Sequence, residues 1–132
     1  MKKFFYALHI LLIVLLTISV IIFVNPLRRT EKTIRKTVLK TIPIGTSMDE
    51  TIKKIKSNTY WEIDSISESN GYTVSKDGRP SEGGGEEIGS KYIRVWLGGY
   101  RNIFVTDVSA WLAFDENSNL IEITIRKDVD AL

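Results

Sequence analysis

The chain opens with apolar positions that leave no polar face, and only afterwards do its patterns become periodic. Residues 4–24, FFYALHILLIVLLTISVIIFV, carry no charge, and at about 1.5 Å per residue a helix of that length covers the roughly 30 Å hydrocarbon core of a bilayer. Ile34, Val38 and Ile42 then recur every fourth residue, the apolar stripe of a helix with charged and hydroxylic residues around it. Residues 42–45, IPIG, break that stripe. In the next segment, TSMDETIKKIKSN, Ser47 precedes Glu50 at capping-box spacing. Met48, Ile52 and Ile55 mark the buried face of a second short helix, with Lys53, Lys54 and Lys56 turned to solvent.

From there the period shortens to two. Residues 60–66 and 72–75 read as short strands separated by a turn at Ser69, Asn70 and Gly71. Residues 92–97 alternate, with Ile93, Val95 and Leu97 on one face and Tyr92, Arg94 and Trp96 on the other, before Gly98 and Gly99, which are expected to turn the chain. A long strand over 103–114 places Phe104, Val108, Ala110, Leu112 and Phe114 in one phase; residues 115–119 form a turn, and 120–126 close the domain with Ile121, Ile123 and Ile125 inward. Strands in succession with tight turns predict an antiparallel meander, because parallel pairs need long crossovers. Residues 76–90 show no apolar period, hold Gly78, Gly83, Gly84, Gly85 and Gly89, and are expected to form a flexible surface loop. That loop lacks the Gly-Lys-Ser/Thr ending of a phosphate cradle and the alternating ligands of a calcium loop, and Glu82, Glu86 and Glu87 would repel phosphate.

The expected fold class is α+β: an N-terminal transmembrane helix, then a small two-layer domain of one or two helices on an antiparallel sheet of about three to five strands. The organisation is a short basic head at 1–3, the span at 4–24, a basic amphipathic neck at 25–42 and a globular domain at 43–132.

Charge sharpens this division. The net charge of +2 conceals a neck in which Arg28, Arg29, Lys32, Arg35, Lys36 and Lys40 face the single acid Glu31, and a remainder, 41–132, with fifteen acidic against ten basic residues. Arg28, Arg29, Lys32, Arg35 and Lys36 are candidate contacts for anionic lipid headgroups, each basic residue near such a surface contributing about 1 kcal/mol. The alternative is that the neck's stripe packs on the domain and its bases are solvated. Nucleic acid is not an expected partner, since the bases abut the span and the folded part is acidic.

The span reads as a retained anchor rather than a cleaved signal. It exceeds the roughly 7–15 apolar residues of a signal peptide, and Ile22, Phe23, Val24, Asn25, Pro26 and Leu27 offer no small-x-small cleavage site. With no cysteine, a lipoprotein anchor is excluded. His9 lies within the span near its lysine end, where a neutral imidazole reaches the interface. Counting flanking bases places the domain in the cytoplasm, whereas the short Met-Lys-Lys head has the form of a signal anchor that exports the domain beyond it.

Absent chemistry narrows function further. Without cysteine, and with the only histidine inside the span, thiol nucleophiles, Ser-His triads, zinc clusters and histidine acid/base catalysis are gone, and no cofactor is expected. Asp64, Asp107, Asp115 and Glu122 are carboxylates that folding can pair, which keeps a carboxylate- or cation-dependent enzyme as an alternative, beside a lipid-sensing regulator. The residues of greater interest are Tyr92, Arg94, Trp96 and Trp111: on the open face of a sheet covered by one helix layer they form a candidate partner surface. The competing reading makes them cross-strand pairs, or residues covered by the long loop or the neck helix.

Two segments carry a resemblance. Gly45, Ser47, Met48, Glu50, Thr51 and Ile52, succeeded by strands and then by Trp111, Phe114, Asp115, Glu116, Asn117, Leu120 and Ile121, resemble over about residues 43–127 the BamE-like (SmpA/OmlA) family of small exported domains. The chain differs from that family in having a span in place of a lipidated cysteine. The resemblance implies a helix-then-sheet fold on the extracytoplasmic side, not an activity. The functional expectation is a single-pass, membrane-anchored, non-catalytic binding or scaffold module that meets the lipid bilayer and another envelope protein.

Overall fold

The computed structural model describes residues 1–130, apart from the side chains at 22 and 23; residues 131 and 132 of the expected domain lie outside the described residues. Helix α1, Lys2–Val24, is long and apolar enough to cross a membrane, and none of its described side chains is buried against the rest of the chain. Its polar side chains turn back onto their own backbone. Thr17 Oγ1 donates to Ile13 O and Ser19 Oγ to Leu15 O, each at 2.8 Å, and His9 Nδ1 donates to Phe5 O at 2.9 Å. Such back-bonding satisfies polar groups without a partner from outside the helix.

A 3-10 turn, Pro26–Arg28, leads from α1 into α2, Glu31–Thr41. Thr30 caps α2 by accepting from Thr33 N at 3.3 Å, and the predicted stripe of Ile34, Val38 and Ile42 is buried on the domain. The neck helix is therefore part of the folded head. Helix α3, Met48–Ser57, is capped by Ser47, which accepts from Glu50 N at 3.3 Å; Glu50 itself reaches forward to Lys54 at 3.5 Å instead of back to complete the capping box. Lys54 Nζ also donates to Thr41 O at 3.1 Å, so a side chain expected only to decorate α3 closes the carbonyl end of α2.

The strands are β1 Glu62–Ser67, β2 Tyr72–Val74, β3 Glu86–Ile88, β4 Lys91–Arg101, β5 Val105–Phe114 and β6 Leu120–Asp130. The main antiparallel sheet has the order β1-β4-β5-β6, and β2 and β3 pair separately. Helix α2 lies over β6 and α3 over β1, both on the face that presents Ile93, Val95, Leu97, Val108, Ala110, Leu112, Phe114, Ile123 and Ile125. This is the expected α+β class. The segment before α3 is tied to the β5–β6 turn by Gly45 N to Leu120 O at 2.8 Å and Met48 N to Ser118 O at 2.8 Å.

The structure departs from the sequence pattern at three places. Gly98 and Gly99 do not turn the chain: β4 runs through them to Arg101, with a bulge between Trp96 and Gly98, and the turn lies at 102–104, where Asn102 N donates to Phe104 O at 3.1 Å. A Cβ at Gly98, whose φ is +128°, would stand 2.9 Å from Leu27 Cδ1, so the glycine lets the neck press onto the sheet. Ile121 points outward, because a register shift opposite Ala113 and Phe114 throws it out of the phase of Ile123 and Ile125. Finally, the segment 76–90, expected as a featureless loop, contains β3 and a tight turn at 75–79, and Pro80 within it is buried.

Candidate binding groove on the open sheet face

The two bulges decide which side chains face away from the helices. On β4 these are Tyr92, Arg94 and Trp96; on β5 Asp107, Ser109, Trp111 and Ala113; on β6 Thr124, Arg126, Asp128 and Asp130. The β2–β3 hairpin covers the half of this face nearest the β5–β6 turn. Tyr72 of β2 stands with its ring centroid 5.7 Å from Trp111 and 6.4 Å from Tyr92, and Tyr92 lies 5.6 Å from Trp111. The Tyr72 hydroxyl shares a 2.6 Å hydrogen bond with Thr124, and Arg126 Nη1 donates to Pro80 O at 2.6 Å, fastening the hairpin to β6.

The expected partner surface is thus divided. Trp111 is only 6% exposed and its Nε1 has no hydrogen-bond partner among the described residues; together with Tyr92 it serves packing under the hairpin. Arg94 sits at the boundary: its guanidinium lies 4.9 Å from the Trp111 ring centre, with Nε 3.1 Å from Asp64 and Nη1 3.7 Å from Glu82. The Asp64 contact is an ion pair whose N–H is not aligned for a hydrogen bond. Trp96 alone is open to solvent, at 38%, and its Nε1 donates to Asp107 Oδ1 at 3.1 Å.

Around Trp96 the uncovered half of the face forms a shallow groove of about 700 Å³, bordered by Glu62, Asp64, Asp107, Asp128 and Asp130. Arg94 offsets Asp64, and Arg126 Nε offsets Asp128 at 2.7 Å. Among the described residues, Glu62, Asp107 and Asp130 have no cation within ion-pair distance. Asp107 stands directly opposite Asp128 in the β5–β6 register, a like-charge placement that costs stability unless a cation lies between or beside the pair. Ser109 is only 5% exposed and lines the groove. Among the described residues no group of His, Cys, Asp or Glu is arranged to hold a metal ion. The surface suits an organic cation: carboxylates to pair with an ammonium or guanidinium, and an indole face for its apolar stem or its charge.

The other sequence candidates lie elsewhere. Asp115 accepts from Asn119 N at 2.9 Å within the β5–β6 turn, and Glu122 pairs with Arg35 at 2.5 Å, so of the four carboxylates considered for catalysis Asp64 and Asp107 share the groove and Asp115 and Glu122 lie apart from it. Of the neck bases, Arg35 also donates to Ile123 O at 2.8 Å and Arg28 is held by the β4–β5 turn, while Arg29, Lys32 and Lys36 extend into solvent. A second hollow between α2 and the 77–79 turn mixes Lys32, Arg35 and Arg79 with Glu31, Asp77 and Glu122, and selects neither sign of charge. Sequence reasoning misses Asp128 and Asp130, although they alternate in phase with Arg126 and out of phase with Ile123 and Ile125.

Burial pushes the Tyr72 phenol up to about 12, against the lowering pull of its hydrogen bond with Thr124. The folded state therefore holds this proton more tightly than the unfolded chain, whose tyrosine titrates near about 10. Its contribution is complete below about pH 10 and is lost as pH rises towards 12. Tyr72→Phe is expected to flatten the fall in stability across that window, measured by urea unfolding at stepped pH. An unchanged slope would contradict the assignment.

No family model, curated protein or solved structure matches the chain.

Proposed function

We propose that this chain is a single-pass, membrane-anchored, non-catalytic binding module whose head offers the groove around Trp96 to a cationic segment of another envelope protein. The observation that carries the reading is the juxtaposition of Asp107 and Asp128 beside a solvent-open indole, with Glu62 and Asp130 at the margins and without an ion-pair partner among the described residues. Arg126 offsets Asp128 alone, and Asp107 opposite it has no cation within ion-pair distance among the described residues, a local cost that a bound cation reduces. Anchoring is supported by α1, which is apolar all round and none of whose described side chains is buried against the head. The proposed side of the membrane is extracytoplasmic; its supports are the short basic head before α1 and the resemblance to exported helix-then-sheet domains.

The test places a photoreactive amino acid at position 96 of the full chain in native membranes, with position 121, exposed on the β6 bulge, as control. Position 96 is expected to capture a protein, and a short lysine- and arginine-rich peptide is expected to compete for that capture where an acidic peptide of equal length does not. Identical products from both positions, or no competition, would defeat the reading.

A further inference from the structure

The turn between β4 and β5 breaks the usual chemistry of turns. Tight hairpin turns are built from Gly, Asn, Asp, Ser and Pro, which supply the backbone geometry and remain wet. Here, after Asn102, the tip is Ile103 and Phe104, with Val105 next in the chain. Ile103 is 83% exposed and Phe104 43%, and Val105 and Val129 are also exposed. In the β5–β6 register Val105 lies opposite Asp130, next to Val129, so these apolar groups gather at one end of the sheet.

That end is clamped to the residues that leave α1. Arg28, four positions beyond Val24, donates through Nη1 to Asn102 Oδ1 at 2.5 Å and through Nη2 to Arg101 O at 2.9 Å. Its guanidinium also lies 5.1 Å from the Tyr100 ring centre, which Lys127 Nζ approaches at 5.2 Å while donating to Arg29 O at 2.6 Å. Leu27 packs into the head's core. Four residues of chain reach at most about 14 Å, and the 3-10 turn, rising about 2 Å per residue, shortens that distance. The polar layer of a bilayer is about 5–8 Å thick on each side of the hydrocarbon. A head whose turn is bonded to Arg28 therefore carries Ile103 and Phe104 to the level at which α1 emerges.

We propose that the β4–β5 tip is a second membrane contact: Ile103 and Phe104 seat in the headgroup and upper acyl region of the bilayer that α1 enters. Arg28, Arg29, Arg101 and Lys127 then stand among the phosphates, and Tyr100 lies at the same level. An apolar point flanked by four bases, against the single acid Asp130 opposite Val105, is the composition of an interfacial anchor. The contact holds the head against the membrane and fixes which way the groove faces. Arg28 and Arg29 thus act at headgroups as part of the domain's edge, not as a free basic stretch.

This inference rests on α1 being a membrane span, and one experiment separates the two. The chain has no cysteine, so Ile103→Cys, Thr17→Cys in mid-span and Glu116→Cys in the opposite, β5–β6 turn each carry a single environment-sensitive fluorophore on the full chain. The variants are reconstituted into phosphatidylcholine–phosphatidylglycerol vesicles with spin-labelled lipids. The label at 103 is expected to shift to the blue and lose most of its fluorescence to lipids quenching just below the headgroup. The label at 17 is expected to be quenched from mid-chain, and the label at 116 by neither. Quenching at 17 without quenching at 103 would overturn the second contact and leave the span standing. Quenching at neither would overturn both. A blue shift at 103 without lipid quenching, growing with protein density, would assign the tip to a second copy of the chain and overturn the membrane contact.

Discussion

Phe114→Ala is expected to destabilise the head by about 3–5 kcal/mol, a large share of the roughly 5–15 kcal/mol that holds a domain together. Phe114 ends β5 with no solvent exposure, within the cluster that joins the sheet to α2 and α3, and its backbone carbonyl accepts from Ser90 N at 2.8 Å. Truncation would leave a cavity bounded by strands that cannot collapse without breaking the ladder, and a chain with no cysteine has no disulfide to limit the loss. Urea unfolding of the full chain in mild detergent, monitored by tryptophan fluorescence, measures the change. Ile121→Ala, on the same face by sequence alternation but outward in the structure, is expected to cost no more than about 0.5 kcal/mol. Equal losses at 114 and 121 would mean that the β5–β6 register is wrong.

The second large effect concerns the groove. The pair Asp107→Asn with Asp130→Asn removes two negative charges while keeping at position 107 an oxygen that accepts from Trp96 Nε1. Binding of a lysine- and arginine-rich peptide is expected to weaken by about tenfold or more, which is about 1.4 kcal/mol or more. Stability is expected to hold or rise slightly, because the like-charge opposition of Asp107 and Asp128 is relieved. Added salt should weaken wild-type binding in the same direction, since these are solvent-open charges. Fluorescence titration through Trp96 reads the affinity, and an unchanged value in the double variant would remove the electrostatic basis of the proposed partner.

Much of this architecture was legible because its signals are local and periodic. Ile34, Val38 and Ile42 fixed α2, Ser47 marked the start of α3, and the alternation of Ile93, Val95 and Leu97 gave β4 its inner face. The remainder depended on events that leave no period. A bulge shifts phase by one residue, so Leu97 and Gly98 continue a strand where a glycine pair reads as a turn, and Ile121 leaves the core although its neighbours in the pattern stay. The hairpin that hides Tyr92 and Trp111 pairs β2, expected at 72–75, with β3, three residues in a segment that shows no period, and it is placed by distant bonds such as Arg126 to Pro80 O. Hence Trp96 was found as an exposed aromatic, while its neighbours on the same face serve packing. The acids beside it gain meaning only through the β5–β6 register, which pairs Asp107 with Asp128 across the ladder.

Everything proposed for the head, from the groove to the tip at Ile103, takes α1 to remain on the chain and in a bilayer. Intact-mass measurement of the protein purified from membranes that have been extracted with alkaline carbonate tests this most directly. The expected result is a chain that stays with the membrane pellet and retains residues 1–24. A shortened chain beginning beyond α1 and released into the carbonate supernatant would contradict it.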